Sequence, residues 1–353
     1  MTSLASSDRF VQNVWYAAMW SADLGQDVLV PRTIVEMPVV FFRRADGTPV
    51  ALRDLCPHRF APLHRGSLID GDRLRCGYHG LEFDATGACV RNPHGLGKIP
   101  AGTDIRAYGI VERHSIIWVW MGDRPADADR IPDFSILDGA PDALVGWRGT
   151  LTFDANYQLI ADNLLDLSHA SVLHEGLLGN DETLAGEVDV KQNGSTVIVS
   201  RYNRDVTVPT MLDLLFRNDG GRVDTWDEMR WDPPGCCLLD VGVHPPGATK
   251  DDGAGVFAVH LLTPQTPTKT TYLLTSVRRP SSEPAAASAL TRERLAAFRK
   301  LAFEDQDGAM IRAQQQMLLE FPQLAGRPSL LAIDAAPLRA RRVVTQLLAA
   351  EAE

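Results

Sequence analysis

Between residues 33 and 122 apolar and polar positions change over in short runs, with turn residues between them. The stretch TIVEMPVVFFRR from Thr33, a turn at Asp46-Gly47 and then PVALRD read as paired strands. LEFDATGACV, with a turn near Gly87, and the strongly apolar HSIIWVWMG add further strands. RFVQNVWYAAMW at residues 9–20 is dense in aromatic and aliphatic residues and is expected to pack onto the same unit. Short strands and tight turns predict a small β-sandwich ending near Gly122. The pattern lapses at residues 123–145, where Pro, Asp and Ala dominate, and this reads as a connection. A second domain opens with the strand WRGTLTFDANY. Leu159, Ile160, Leu164, Leu165 and Leu167 then give QLIADNLLDLSHASVLHEG the spacing of a helix. STVIVSRYN, CCLLDVGVH, GVFAVHLLTP and TTYLLTSVRR return to strand character. Residues 281–288, SSEPAAAS, read as a flexible lead-in to a long amphipathic helix at residues 291–321, in which Gly308 is expected to introduce a kink. LRARRVVTQLLAAEAE supplies a last helix. The expected class is α+β: a β-sandwich domain over residues 1–145, then antiparallel strands with helices packed on them over residues 146–353.

Composition narrows the function. A 353-residue chain that is 45% hydrophobic has enough apolar material for two domains with their own cores. A net charge of −10 with no long run of Lys or Arg argues against nucleic acid as a partner. No apolar run reaches the roughly 18 residues of a membrane helix, and the first residues lack a secretory pattern. Five cysteines are few. Cys89, Cys236 and Cys237 read as buried thiols of a reducing cytoplasm, since adjacent Cys236 and Cys237 are poor disulfide partners.

Two short stretches carry the chemistry. C-P-H-R at residues 56–59 and C-G-Y-H at residues 76–79 each offer one thiolate and one imidazole. Two Cys and two His can hold zinc in a tetrahedron. They can also hold a Rieske [2Fe–2S] cluster, with both Cys on one iron and both His on the other. A zinc knuckle usually keeps its Cys in one loop and its His in another. Here each loop carries one of each, so Cys56, His58, Cys76 and His79 point to the cluster. Such a cluster transfers single electrons and needs a destination for them. His169 and His174 follow in the first helical stretch, five residues apart and about 140° around a straight α-helix. They can share one metal only if the helix widens or ends between them. Glu304, Asp305 and Asp307 on the late helix supply candidate carboxylates, and two His with one carboxylate make the facial triad of non-haem Fe(II).

C-P-H-R…C-G-Y-H-G-L together with N-L-L-D-L-S-H-A-S-V-L-H resembles the oxygenase components of Rieske non-haem iron oxygenases, in particular the vanillate O-demethylase branch. The likeness extends to residues 230–243 and 303–315 and to the Arg-rich final helix. Leu81, where a Trp often follows in the wider superfamily, is tolerated in this branch. The resemblance implies a catalytic domain of the helix-grip type. It implies a mononuclear iron on His169, His174 and Asp307, the acid standing seven residues before Gln314; Asp305 is its rival. It implies that Asp166 bridges an iron-ligating His to a cluster-ligating His of a neighbouring subunit, and that Asn163 lies near the iron. It also implies a head-to-tail homotrimer. His260, Phe298 and residues of CCLLDVGVH are candidates for the substrate pocket, while Trp226 and Trp231 read as core or interface aromatics.

The chain lacks a GxGxxG opening a helix, so NAD(P)H electrons are expected through a separate reductase of the FMN/ferredoxin type. The expected reaction is O2-dependent O-demethylation of a small methoxylated aromatic, vanillate-like, to a phenol and formaldehyde. Hydroxylation of an aryl methyl group, N-demethylation on the same scaffold, or a pure Rieske electron carrier are the alternatives.

Overall fold

A computed structural model describes residues 10–139, 148–279, 289–324 and 328–352. The 281–288 segment and part of the 123–145 connection lie outside the described residues. The chain divides into two compact units. One comprises Val11–Ile131 with Thr263–Thr266; the other holds Pro132–Leu262 and Pro267–Glu353.

The first unit contains ten strands: β1 (Trp15–Trp20), β2 (Val30–Ile34), β3 (Met37–Arg43), β4 (Pro49–Arg53), β5 (Ser67–Ile69), β6 (Arg73–Arg75), β7 (Glu82–Phe83), β8 (Cys89–Arg91), β9 (Gly109–Arg113) and β10 (Ile116–Trp120). They form three antiparallel sheets, β1-β10-β9, β2-β3-β4 and β5-β6-β7-β8. Val40 and Phe42 of β3, Val50 and Leu52 of β4, Leu74 and Phe83 build one core cluster, and Cys56 and Cys76 belong to it. The β-branched and aromatic side chains that favour these strands are thus the ones that bury the two thiols.

The second unit is organised on a seven-stranded antiparallel sheet. Its elements are β11 (Gly149–Phe153), α1 (Tyr157–Leu165), β12 (Glu187–Asn193), β13 (Thr196–Thr207), α2 (Thr210–Leu215), β14 (Arg222–Asp232), β15 (Cys236–His244), β16 (Ala254–Thr266), β17 (Lys269–Arg278), α3 (Ala289–Arg299), a π-helix (Lys300–Asp307), α4 (Gly308–Glu320) and α5 (Ala335–Glu351). The strand order is β11-β17-β16-β15-β14-β13-β12. Trp226 and Trp231 are core residues, and all five cysteines are free and buried.

Three expectations change. The helix expected through residue 176 ends at Leu165, because Asp166 leaves helical backbone at φ −92° and ψ 92°. The irregularity of the long helix is not a kink at Gly308, which is helical, but the π-helix immediately before it. Gly308 instead permits close packing: a Cβ there would meet the Phe303 carbonyl at 3.3 Å and the Phe153 ring at 3.4 Å. Strands β12 and β14 were not anticipated: β12 stays largely exposed, and β14 carries polar residues on both faces.

Candidate metal centres and substrate cavity

The two Cys/His loops of the first unit are built alike. In one, the Cys56 N–H donates to Ala61 O at 2.9 Å and the Phe60 N–H donates back to Cys56 O at 2.8 Å. In the other, the Cys76 N–H donates to Leu81 O at 2.8 Å and the Gly80 N–H donates to Cys76 O at 3.0 Å. Both turns need positive φ four residues after the cysteine, +58° at Phe60 and +74° at Gly80. Glycine takes that conformation freely, and phenylalanine does so at a cost.

This shared geometry sends the thiols inward and the imidazoles outward. Cys56 and Cys76 are each 2% exposed. The rings of His58 and His79 face each other at the rim, with centroids 4.5 Å apart. Burial pushes the Cys56 thiol up to about 11; the backbone N–H groups of His58 and Arg59 oppose that rise and the Cys76 sulfur beside it adds to it. Partial burial, with the charges of His58, Arg59 and His94, holds His79 below its ordinary value. His94 Nε2 meets the His79 carbonyl at 2.8 Å. Two apposed thiols and two apposed imidazoles suit a centre with sulfur on one metal and nitrogen on the other.

In the second unit α1 delivers Asn163, and the turns after it deliver His169 and His174. Their ring centroids lie 5.1 Å apart. A regular helix would splay them; the stop at Leu165 lets both converge. Asp307 completes the group, with the candidate ligand atoms of all three within 4.8 Å of one another. Asp307 Oδ1 lies 3.1 Å from His174 Nε2 and 3.5 Å from His169 Nε2. The Asn163 amide donates to the same oxygen at 3.0 Å. His174 Nδ1 meets Gln306 Oε1 at 2.7 Å, so adjacent residues of the π-helix address opposite nitrogens of one ring. Neighbours on an α-helix stand 100° apart, and the wider π turn narrows that angle. Burial alone would lower His174, yet its hydrogen bond to Asp307, that carboxylate's charge and Gln306 outweigh it and raise its pKa.

The expected contact of the Asp166 carboxylate with His169 is corrected. His169 Nδ1 is held by the Asp166 backbone carbonyl. The Asp166 carboxylate turns to Ser168, whose N–H donates to Oδ1 at 2.9 Å and whose hydroxyl donates to the same oxygen. Sequence reasoning missed Arg201, which is 3% exposed. Its Nη1 donates to Leu167 O at 2.7 Å and its Nη2 to Ser171 Oγ at 2.8 Å, pinning the turn around His169. Its signal lay in the text, because Val197, Val199 and Arg201 share one buried register of β13.

A cavity of about 420 Å³ opens beside the triad and is lined mainly by aliphatic residues, Leu239 and Val241 of CCLLDVGVH among them. His260 is in its wall, with Nδ1 2.6 Å from the Tyr272 hydroxyl and Nε2 buried without a partner. Burial pushes His260 down to about 4, against the nearby Asp307 charge, so the ring is neutral. Phe298 is not in the lining. Phe303, on the π-helix, is, and it packs on His260 with ring centroids 5.3 Å apart.

Residues 14–100 match the Rieske [2Fe–2S] domain, and residues 153–350 match the vanillate O-demethylase oxygenase C-terminal domain. The dicamba O-demethylase oxygenase component of Stenotrophomonas maltophilia is 33% identical over 97% of this chain and 99% of its own length. The vanillate O-demethylase oxygenase subunit of Pseudomonas sp. (strain HR199 / DSM 7063) is 34% identical over 98% of this chain and 96% of its own. The crystal structure of dicamba monooxygenase bound to 3,6 dichlorosalicylic acid superposes with a TM-score of 0.89 at 33% identity, covering 97% of this chain and 99% of that one. Among the described residues no helix is long and apolar enough to cross a membrane.

Proposed function

The chain belongs to the Rieske non-haem iron oxygenases with a vanillate O-demethylase-type catalytic domain, and on that premise we propose that it oxidatively O-demethylates a small methoxylated aromatic, vanillate-like, to a phenol and formaldehyde. Cys56, Cys76, His58 and His79 would hold the [2Fe–2S] cluster, and His169, His174 and Asp307 the mononuclear iron. The donor sets fit both groups: paired thiols and paired imidazoles for the first, two imidazoles and a carboxylate for the second. When bound, the cluster supplies single electrons from a separate reductase and the iron supplies the centre at which O2 is used.

The protein's own residues prepare the reaction. Gln306, accepting from His174 Nδ1–H, leaves Nε2 free to ligate. Asn163 fixes the rotamer of Asp307. The aliphatic walls exclude water from the space beside the triad. The observation that carries the reading is that this triad opens onto a mainly apolar cavity in whose wall His260 Nε2 is buried without a partner among the described residues. With the Tyr272 hydroxyl donating to Nδ1, Nε2–H donates to an acceptor on the substrate, such as a carboxylate, and orients the ring.

The assembly reading is a head-to-tail homotrimer with an FMN/ferredoxin-type reductase as partner, in a reducing cytoplasm. Asp166 Oδ2 accepts no hydrogen bond among the described residues, which supports a partner outside the chain: His79 or His58 of the neighbouring subunit. Asp166→Asn should keep both metals and slow electron delivery in single turnover from the reduced cluster.

The functional test is a screen of methoxylated and methylated aromatic acids with a matching reductase. Formaldehyde released from methoxybenzoates is the expected result. Hydroxylated methylarenes with no formaldehyde from any methoxyarene would move the reading to methyl hydroxylation.

A further inference from the structure

The cavity wall holds a second polar group that the reaction does not use. Asp227 lies on β14 and lines the cavity. Among the described residues its half-buried carboxylate makes neither a hydrogen bond nor an ion pair; burial pushes it up to about 6, the Arg201 charge opposing that rise and the Asp240 charge adding to it. Its cross-strand neighbour Arg201 spends Nη1 and Nη2 on Leu167 O and Ser171 Oγ and forms no ion pair with it.

Sheet register shows how far Asp227 stands from His260. Asp227 faces Val241, which faces Val256; Met229 faces Leu239, which faces Ala258; Trp231 faces Cys237, which faces His260. Asp227 is therefore two strands and four residues away from His260, roughly 16 Å between Cα positions from standard strand spacings. Between them lies an apolar row, Met229, Leu239 and Ala258. Arg278 and Arg299 also line the cavity; the backbone of Arg278 lies on β17, three strands and so about 14 Å from that of β14. One substituent cannot touch both His260 and Asp227.

We propose that Asp227 is a specificity residue of the cavity, receiving an N–H or O–H donor carried by the substrate and excluding an anion from that side. The proposal rests on the cavity being the substrate site. A half-buried carboxylate facing a mainly apolar cavity without a protein donor lacks the hydrogen bonds that even partial burial of such a group calls for. An ammonium or hydroxyl supplies them, a methyl group supplies none, and a second carboxylate repels.

The test uses the holoenzyme and four probes of one shape: para-methoxyphenethylamine, para-methoxyphenethyl alcohol, para-propylanisole and para-methoxyphenylpropanoate. Kd is measured by titration without reductase, so that binding is read apart from turnover. The amine and the alcohol should bind about tenfold tighter than propylanisole, and the propanoate weakest. In Asp227→Asn, whose amide oxygen still accepts, the alcohol should keep most of its advantage. The amine should lose its own, and the propanoate should gain. Equal Kd for amine, alcohol and propyl probes in the unmodified enzyme overturns the proposal and leaves Asp227 as counter-charge to Arg201. So does a preference for the propanoate. These readings need no variant, so they stand even if Asp227→Asn folds poorly. Formaldehyde release from methoxybenzoates, measured separately, tests the O-demethylation reading. A selective binding series without formaldehyde would sink that reading and not this one.

Discussion

Arg201→Met isolates what holds the His169 turn in place. The guanidinium is 3% exposed and donates to Leu167 O and Ser171 Oγ. Losing two hydrogen bonds from a charged donor costs about 1.5–3 kcal/mol each. Two effects reduce the net. Ser171 Oγ keeps Thr183 Oγ1 at 2.8 Å, and the variant no longer buries a cation, burial opposing the Arg201 charge more than the charges of Asp227 and Asp166 favour it. Together they leave a net loss of about 1–2 kcal/mol, a fall of roughly 3–6 °C in Tm for a unit of this size. The local consequence is larger, because the turn bearing His169 loses both anchors on that side. Outer supports of metal ligands are worth about 10–100-fold in affinity. Chelator competition for the mononuclear iron, with the cluster absorbance as an internal control, reads that effect apart from unfolding. Arg201→Lys, which can restore one of the two bonds, should fall between. If Arg201→Met holds iron within a factor of about two of the unmodified protein while its Tm drops, Arg201 is scaffold and does not position His169.

Gln306→Leu removes the acceptor from His174 Nδ1 and should weaken iron binding about tenfold, measured by the same competition, whereas Gln306→Glu should retain it. Glu82 is fully buried and receives Arg73, Arg75 and Arg91 at 2.8, 2.9 and 2.8 Å. Glu82→Gln should destabilise the cluster-bearing unit by about 2 kcal/mol, discounted because the three guanidiniums are partly exposed. Burial pushes the Glu82 carboxyl up, but hydrogen bonds from Arg91 and Arg75 and the charges of Arg73 and Arg75 bring it below its ordinary 4.5. Its contribution is therefore present above that value and lost as pH falls through the lower folded value, so Tm curves of wild type and variant should converge in acid. Phe60, 71% exposed at φ +58°, gains little from packing. Phe60→Gly should raise stability by about 0.5–1 kcal/mol, seen as a higher Tm.

The candidate ligands of both centres could be picked out from the chain because all but Asp307 sit in short local motifs. Cys56 with His58, and Cys76 with His79, sit within four residues, so spacing alone restricts what they can bind. His169 and His174 were legible as a pair that demanded the helix widen or end between them; it ends before both, at Leu165, with Asp166 leaving helical backbone. Strand alternation likewise announced most of the large sheet. What the chain did not announce depends on register between distant segments. Asp307 and Gln306 act together only because the π-helix turns both toward His174, and no residue type marks a π turn. Phe303 replaces Phe298 in the cavity wall for the same reason. Asp166 holds His169 through its carbonyl, a backbone contact that side-chain identity does not encode. Arg201 and Asp227 come from strands whose inward faces are fixed by pairings across the sheet, whereas His260 was already a pocket candidate in the sequence. Periodicity says that a strand has two faces; only the packed sheet says which one looks into the cavity, and what stands opposite.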